Sequence, residues 1–257
     1  MNRGLSVTIL GSGTCVPSLA RSACSILMET NGVKAVFDCG PGTMRRLLEA
    51  GTTVFELTHL FLSHFHPDHT GELVSLLFAN KYTVPPQRTA PLTLAGGKGL
   101  RDFYNGLRAV FGEWIDPGDD LLLFKEFAVD GEDYYRHEAF SVVTRPVVHR
   151  PESVAFRVTV DNIAVVYSGD TDVSGELIRL SQGADLLICE SALPDELKAE
   201  GHLTPSLAGE IARQAGVKGL VLTHFYPSCD KVDVVQQCAR AYDGEIIVAE
   251  DLMRIEL

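Results

Sequence analysis

Residues 61–73 read FLSHFHPDHTGEL, where an apolar run gives way to His64, His66, Asp68 and His69 within six residues. The 257-residue chain holds only eight histidines, so three of them in one short stretch ask for a chemical reason. THLFLS, just before, has the apolar character of a strand, and TGELVSLLFANKY, which follows, has helical spacing. The cluster therefore falls on a strand-to-helix loop, a place where a rigid scaffold presents functional groups. Imidazole and carboxylate together suit Zn²⁺ and similar divalent ions, whereas an all-oxygen set favours Mg²⁺ or Ca²⁺. A tight loop can aim the alternating histidines at one ion and the adjacent Asp-His pair at another. The expectation is a site for two metals.

Two ions need more ligands, and the rest of the chain offers them after apolar runs. His149 closes SVVTRPVVH, Asp170 closes IAVVYSGD and His224 closes GLVLTH. A polar residue at the end of a buried strand projects from a rigid sheet. The strand-like runs LSVTIL, SILMET and KAVFDC precede the helical TMRRLLEAG, and a second β-rich series starts with LLLFKEFAV and FSVVTRPVV. Two β-rich halves, each finishing with helices, predict an α/β fold: two mixed sheets packed face to face with helices outside. Residues 1–257 are expected to form one domain, with an insertion or lid at about 84–135.

Composition narrows the function. A net charge of −12 argues against a surface that binds nucleic acid mainly by neutralising phosphates, although bound ions would add positive charge locally. The six cysteines occur singly without Cys-x-x-Cys, which reads as reduced thiols of a cytoplasmic protein. No apolar stretch approaches the roughly 18 residues that span a bilayer, so no membrane partner is expected. Between Val84 and Tyr135, Arg88, Lys98, Arg101 and Arg108 alternate with Glu113, Asp116, Asp119 and Asp120, which makes no continuous basic patch. The sole tryptophan, Trp114, sits in that segment and is expected to pack there.

The succession LGSGTCVPSLARSACSIL, FDCGPGTMRRLLEAG, SHFHPDHTGEL, VVHRPESVAFRV, YSGDTD, LLICES, GHLTPSLAGEIA and LVLTHF resembles the metallo-β-lactamase superfamily, in its ribonuclease Z-like branch. The resemblance implies an αββα sandwich and a homodimer. It assigns His64, His66 and His149 to one metal, Asp68, His69 and His224 to the other, and Asp170 to both. It also implies that His202, in GHLTP, donates a proton with support from Glu190, in CES, and that Asp68 handles the proton of the attacking water. Thr204 and Pro205 fit a helix start as well. His59 and His137 match no ligand of the family and read as structural or surface residues. Asp172 reads as a supporting or helix-capping residue.

Two departures bear on the substrate. Family members that process tRNA commonly carry a long Gly- and Pro-rich arm, in many bacterial members between the positions of His149 and Asp170; here only enough chain for two strands and a turn lies between them. After His224 the family often has His-x-Ser-x-Arg-Tyr, whereas this chain reads HFYPSC. The expectation is a binuclear metal-dependent hydrolase, a phosphodiesterase acting on a small or flexible phosphodiester with two divalent ions. Zinc is the expected metal, with manganese or iron as alternatives. RNA is the second choice, through a tRNA 3′-processing endonuclease without the arm. An arylsulfatase- or lactonase-like hydrolase is the third, and a metal-stabilised binding protein would leave His202 and Glu190 without a task.

Overall fold

The computed structural model describes residues 4–85, 88–118 and 120–257; Asp119 lies outside them, as do positions 86 and 87 of the 84–135 segment. The first half comprises β1 (Ser6–Gly11), β2 (Ser25–Thr30), β3 (Val33–Phe37), α1 (Thr43–Glu49), β4 (His59–Leu62), α2 (Pro67–Thr70), α3 (Leu73–Tyr82), β5 (Leu92–Gly97), α4 (Leu100–Phe111) and β6 (Leu122–Phe127). The second comprises β7 (Asp133–Arg136), β8 (Ser141–Pro146), β9 (Val154–Val160), β10 (Ile163–Tyr167), α5 (Gly175–Ser181), β11 (Leu186–Glu190), α6 (Pro205–Ala215), β12 (Gly219–Thr223), α7 (Val234–Cys238), β13 (Glu245–Val248) and β14 (Arg254–Glu256).

Among the described residues these strands form two seven-stranded sheets, ordered β14-β1-β2-β3-β4-β5-β6 and β13-β12-β11-β10-β9-β8-β7. Both are mixed. β3 to β6 and β10 to β13 run parallel, and the segments after β4, β8, β10 and β12 carry the candidate ligands. Ile26, Phe37 and Phe61 of the first sheet share one buried cluster with Phe156, Val165 and Tyr167 of the second, and the rings of Phe37 and Phe156 meet edge to face at 5.4 Å. Leu177, Ala208 and Ile211, from α5 and α6, join the same cluster. A separate cluster of leucines, including Leu47, Leu60, Leu77, Leu94 and Leu100, fills the space between the other face of the first sheet and α1, α3 and α4. The central strands are buried on both faces, which explains why KAVF, LLIC and LVL read as unbroken apolar runs. The sandwich expected from the sequence is the fold observed.

The Pro- and Gly-rich stretch from Pro85 to Gly99 departs from the surface excursion its composition predicts. Leu92–Gly97 is the buried strand β5, between β4 and β6. A Cβ on Gly97 would lie 1.9 Å from the carbonyl oxygen of Glu152, so this glycine marks a close approach of another segment. The 84–135 segment thus contributes β5, α4 and β6 to the first sheet and its outer layer. Arg88 is buried within it, and donates to Asn80 Oδ1 and to the carbonyls of Val54, Leu57 and Ala90. Trp114 is 59% exposed and stacks on Phe78 at 5.9 Å, part of a surface aromatic group with Tyr82. Among the described residues no helix is long and apolar enough to cross a membrane.

Candidate metal centre

β4 ends at Leu62 and α2 starts at Pro67, whose fixed φ suits the first turn of a helix. Four residues connect them, so His64 and His66 lie on the loop while Asp68 and His69 ride the single turn of α2. The backbone of Cys39 clamps that turn: its N–H donates to the His69 carbonyl at 2.7 Å, and its own carbonyl accepts from Glu72 N–H at 3.0 Å. Next to it, a Cβ on Gly40 would lie 2.1 Å from the Asp68 carbonyl oxygen, so only glycine admits the loop at this distance.

The other candidates arrive from the second half. β8 and β10 stop at Pro146 and Tyr167, so His149 and Asp170 sit three residues beyond their strands, on turns. His224 follows β12 directly, in a left-handed backbone conformation with φ 61°, which turns its side chain off the strand line. The structure brings His64, His66, His149 and Asp170 into one group and Asp68, His69 and His224 into another, with ligand atoms within 4.8 Å of one another in each. Asp170 faces both. Its Oδ2 lies 3.8 Å from His64 Nε2 and 3.9 Å from His149 Nε2, while its Oδ1 lies 3.1 Å from His69 Nε2 and 3.3 Å from His224 Nε2. Asp170, His202 and His224 form a third group that shares two members with the others and is no independent site.

Hydrogen bonds on the far sides of the rings fix which nitrogen faces inward. His69 Nδ1 is 2.7 Å from Asp38 Oδ2, His149 Nδ1 is 2.9 Å from the Gly201 carbonyl and His64 Nδ1 is 3.0 Å from Ser63 Oγ. Such partners orient a metal-binding imidazole and leave its other nitrogen with a lone pair toward the ion. Asp38 also accepts from Ser63 N–H at 2.7 Å and Ser63 Oγ at 2.8 Å, and like His224 it has a left-handed backbone, at φ 60°. The sequence gives little warning of Asp38: it follows the mostly apolar run VKAVF at the start of a loop, and its partners are remote.

The donor set fits divalent ions. His149 Nε2 and His66 Nδ1 are 3.2 Å apart, and His69 Nε2 and His224 Nε2 are 3.4 Å apart. Ligands about 2.0–2.1 Å from a tetrahedral zinc stand roughly 3.3–3.4 Å from one another. Among the described residues, buried His64 Nε2 and Asp170 Oδ1 have no hydrogen-bond partner of good geometry, which leaves their lone pairs for a cation. Burial holds the pKa of His64 well below its usual value, with the neighbouring His69 adding to the effect. Burial also lowers His149, against the pull of Asp170. Both rings are then neutral, as ligands must be. For His69 burial disfavours charge, but Asp170 and Asp38 outweigh it and raise the pKa, so an ion there would displace a proton. Burial works against ionised Asp170 too, yet His224 and His69 keep it well below the carboxylate range.

At the rim, His202 Nδ1 lies 3.1 Å from Glu190 Oε1. Glu190 is itself pinned: Thr171 N–H donates to Oε1 at 2.6 Å and Leu203 N–H to Oε2 at 3.0 Å. Burial tends to lower the pKa of His202, but the Glu190 carboxylate overrides it, and the net shift is upward. The carboxylate therefore favours the protonated form of the ring. Thr204 is the N-cap of α6 by position with Pro205 after it, though its side chain makes no capping bond. Ser174 caps α5, a role the sequence reading allowed Asp172; Asp172 Oδ2 instead accepts from Gly201 N–H at 3.0 Å and Lys198 at 2.8 Å, which steadies the loop that carries His202. His59 is buried with Nε2 3.0 Å from the Tyr135 hydroxyl, beside His137 and far from the cluster in its contacts. Tyr226, unremarked in the sequence, presents its ring edge to His202 and His224, with centroids 6.5 and 6.4 Å away.

A model of the β-lactamase superfamily domain matches residues 34–225. The ribonuclease Z of Methanothermobacter thermautotrophicus is 29% identical over 304 aligned positions, covering 98% of this chain and 97% of that protein. The ribonuclease Z of Mycobacterium sp. (strain KMS) is 30% identical over 275 positions, covering 98% and 96%. Among solved structures, the metallo-β-lactamase fold protein YhfI from Bacillus subtilis superposes with a TM-score of 0.84 at 23% identity, covering 99% of this chain and 100% of that one. The short form of human tRNase Z superposes with a TM-score of 0.77 at 27% identity, covering 97% and 98%.

Proposed function

The chain belongs to the metallo-β-lactamase superfamily, in its ribonuclease Z-like branch, and is a metal-dependent hydrolase; from this premise we propose that it cleaves phosphodiesters at a two-ion centre, with His202 protonating the leaving group. His64, His66 and His149 would hold one ion and Asp68, His69 and His224 the other, with Asp170 shared between them. Zinc is the proposed metal, since the set is rich in imidazole; manganese and iron accept the same donors. Two ions bound there would supply Lewis acidity, which lowers the pKa of water and offsets charge on the attacked phosphoryl group.

The chain's own residues do the rest. Asp68 stays ionised: burial opposes this, but its contact with His224 prevails, so its carboxylate can orient and accept a proton from the attacking water. Glu190 takes His202 Nδ1–H, so the proton to be delivered sits on Nε2, and an alkoxide leaving there collects it. This pair carries the reading. A protein that only stored or displayed metal would have no use for a buried carboxylate that keeps an imidazole protonated beside the cluster.

A small or flexible substrate fits the surroundings. β9 and β10 turn directly at Asp161 and Asn162, which leaves no arm between His149 and Asp170, and the net charge is −12. The second reading, a tRNA 3′-end endonuclease, is favoured by relatives that bear the name ribonuclease Z along nearly the whole chain. A substrate panel on zinc-loaded protein separates them. We expect turnover of bis-p-nitrophenyl phosphate and no cleavage of precursor tRNA. Accurate removal of a tRNA 3′ trailer would establish the second reading, and turnover of aryl sulfates or lactones alone would overturn both.

A further inference from the structure

Between the sheets, Tyr167 is a buried polar group for which the chemistry above has no role. It closes β10, is 1% exposed, and packs its ring edge-on against Phe37 at 6.3 Å. Its hydroxyl lies 2.6 Å from Asp38 Oδ2 and 3.2 Å from Cys24 Sγ. Tyr167 belongs to the second half of the fold and Asp38 to the first, so this hydrogen bond crosses the sandwich. The same Oδ2 receives Ser63 Oγ and faces His69 Nδ1.

We propose that Tyr167 is a positioning residue for the metal centre: its hydroxyl holds the Asp38 carboxylate in the one orientation that keeps His69 Nε2 aimed at the second ion. The inference rests on the two-ion reading. An ionised carboxylate only accepts, so the phenol proton points to Asp38, and the Cys24 thiol is left to donate to the phenol oxygen. Burial, with Asp38 beside it, raises the phenol pKa well above 10, which keeps the group a donor. With Ser63 N–H on Oδ1 and three groups around Oδ2, the carboxylate cannot turn about its last bond. Phenylalanine at 167 would preserve the packing against Phe37 and withdraw the hydrogen bond that reaches Asp38 from the other sheet. A tyrosine present only to fill space would be replaced by phenylalanine with no effect at the ions.

Metal-free wild type, Tyr167→Phe and Cys24→Ala proteins are titrated with Zn²⁺ by calorimetry and with Co²⁺ by visible absorption. We expect two equivalents in the wild type. In Tyr167→Phe, which keeps its circular dichroism, the first equivalent binds as before and the second about tenfold or more weakly, with altered cobalt bands. Cys24→Ala, which spares the Tyr167–Asp38 bond, binds both as the wild type does. Two unchanged affinities in Tyr167→Phe overturn the inference and leave the two-ion reading intact, and an equal loss in Cys24→Ala overturns it in favour of packing. A wild type that takes up fewer than two ions overturns the reading itself.

Discussion

At Glu190 two backbone N–H groups fix the carboxylate and a further hydrogen bond goes to His202, so this carboxylate is the main support of the imidazole's charge, with Asp170 adding to it. On the proposed reading His202 acts in its protonated form, and its pKa is raised, so activity should persist above the usual imidazole range and fall as pH rises through that pKa. Replacing Glu190 by Gln removes the charge and should move the alkaline limb of the kcat/KM profile toward acid; an unmoved limb would exclude His202 as the titrating group. His202→Ala should lower turnover of alkyl-ester substrates by about 10²–10⁴-fold while the protein keeps its metal, with little loss on p-nitrophenyl esters, whose leaving group needs no proton. That these two residues would meet was legible only through the family resemblance, which rests on the short strings GHLTP and CES. Asp38 and Tyr167 were not. The Tyr167 hydroxyl donates to a carboxylate 129 residues earlier in the chain, and no local pattern encodes such a pair.

Among the elements, β5 illustrates where composition misleads. PLTLAGG looks like a loop because its glycines are read as turn formers, but Gly97 is small so that the Glu152 backbone can cross the strand end. The strand ends also shift: His149 and Asp170 are carried by turns rather than by the strands that point to them, whereas His224 does follow its strand at once. In the first sheet, Arg88 joins the segment before β4, helix α3 and the entry to β5 through bonds to an amide and three carbonyls. Burial lowers its pKa to about 10. Arg88→Met keeps much of the side-chain bulk and strands those acceptors, which should cost about 2–4 kcal/mol. The thermal midpoint should then fall by roughly 5–15 °C at this chain length; a midpoint within a degree of wild type would show that water replaces the guanidinium without loss.

For the molecule as a whole, alternating β-rich and helical stretches announced two halves, and the order of the strings around the histidines announced how they join. What the sequence withheld is the return of β14 to pair with β1, which closes the first sheet with the far end of the described chain. The candidate ligands come from both halves, so ions should stabilise the folded protein as a unit. Zn²⁺ at a hundred times its dissociation constant should add about 2.7 kcal/mol for each ion bound and raise the thermal midpoint by roughly 5–10 °C per ion, and a chelator should reverse it. Equal midpoints with and without zinc would sink that expectation. His69 and His224, whose Nε2 atoms are 3.4 Å apart, are 155 residues apart along the chain. The run from His64 to His69, by contrast, keeps its four donors close together even in a denatured ensemble. On the two-ion reading, metal capture therefore divides into an early, weak event on six residues and a late one that waits for both sheets to dock. A growing polypeptide could then arrive at its fold with the first ion already aboard.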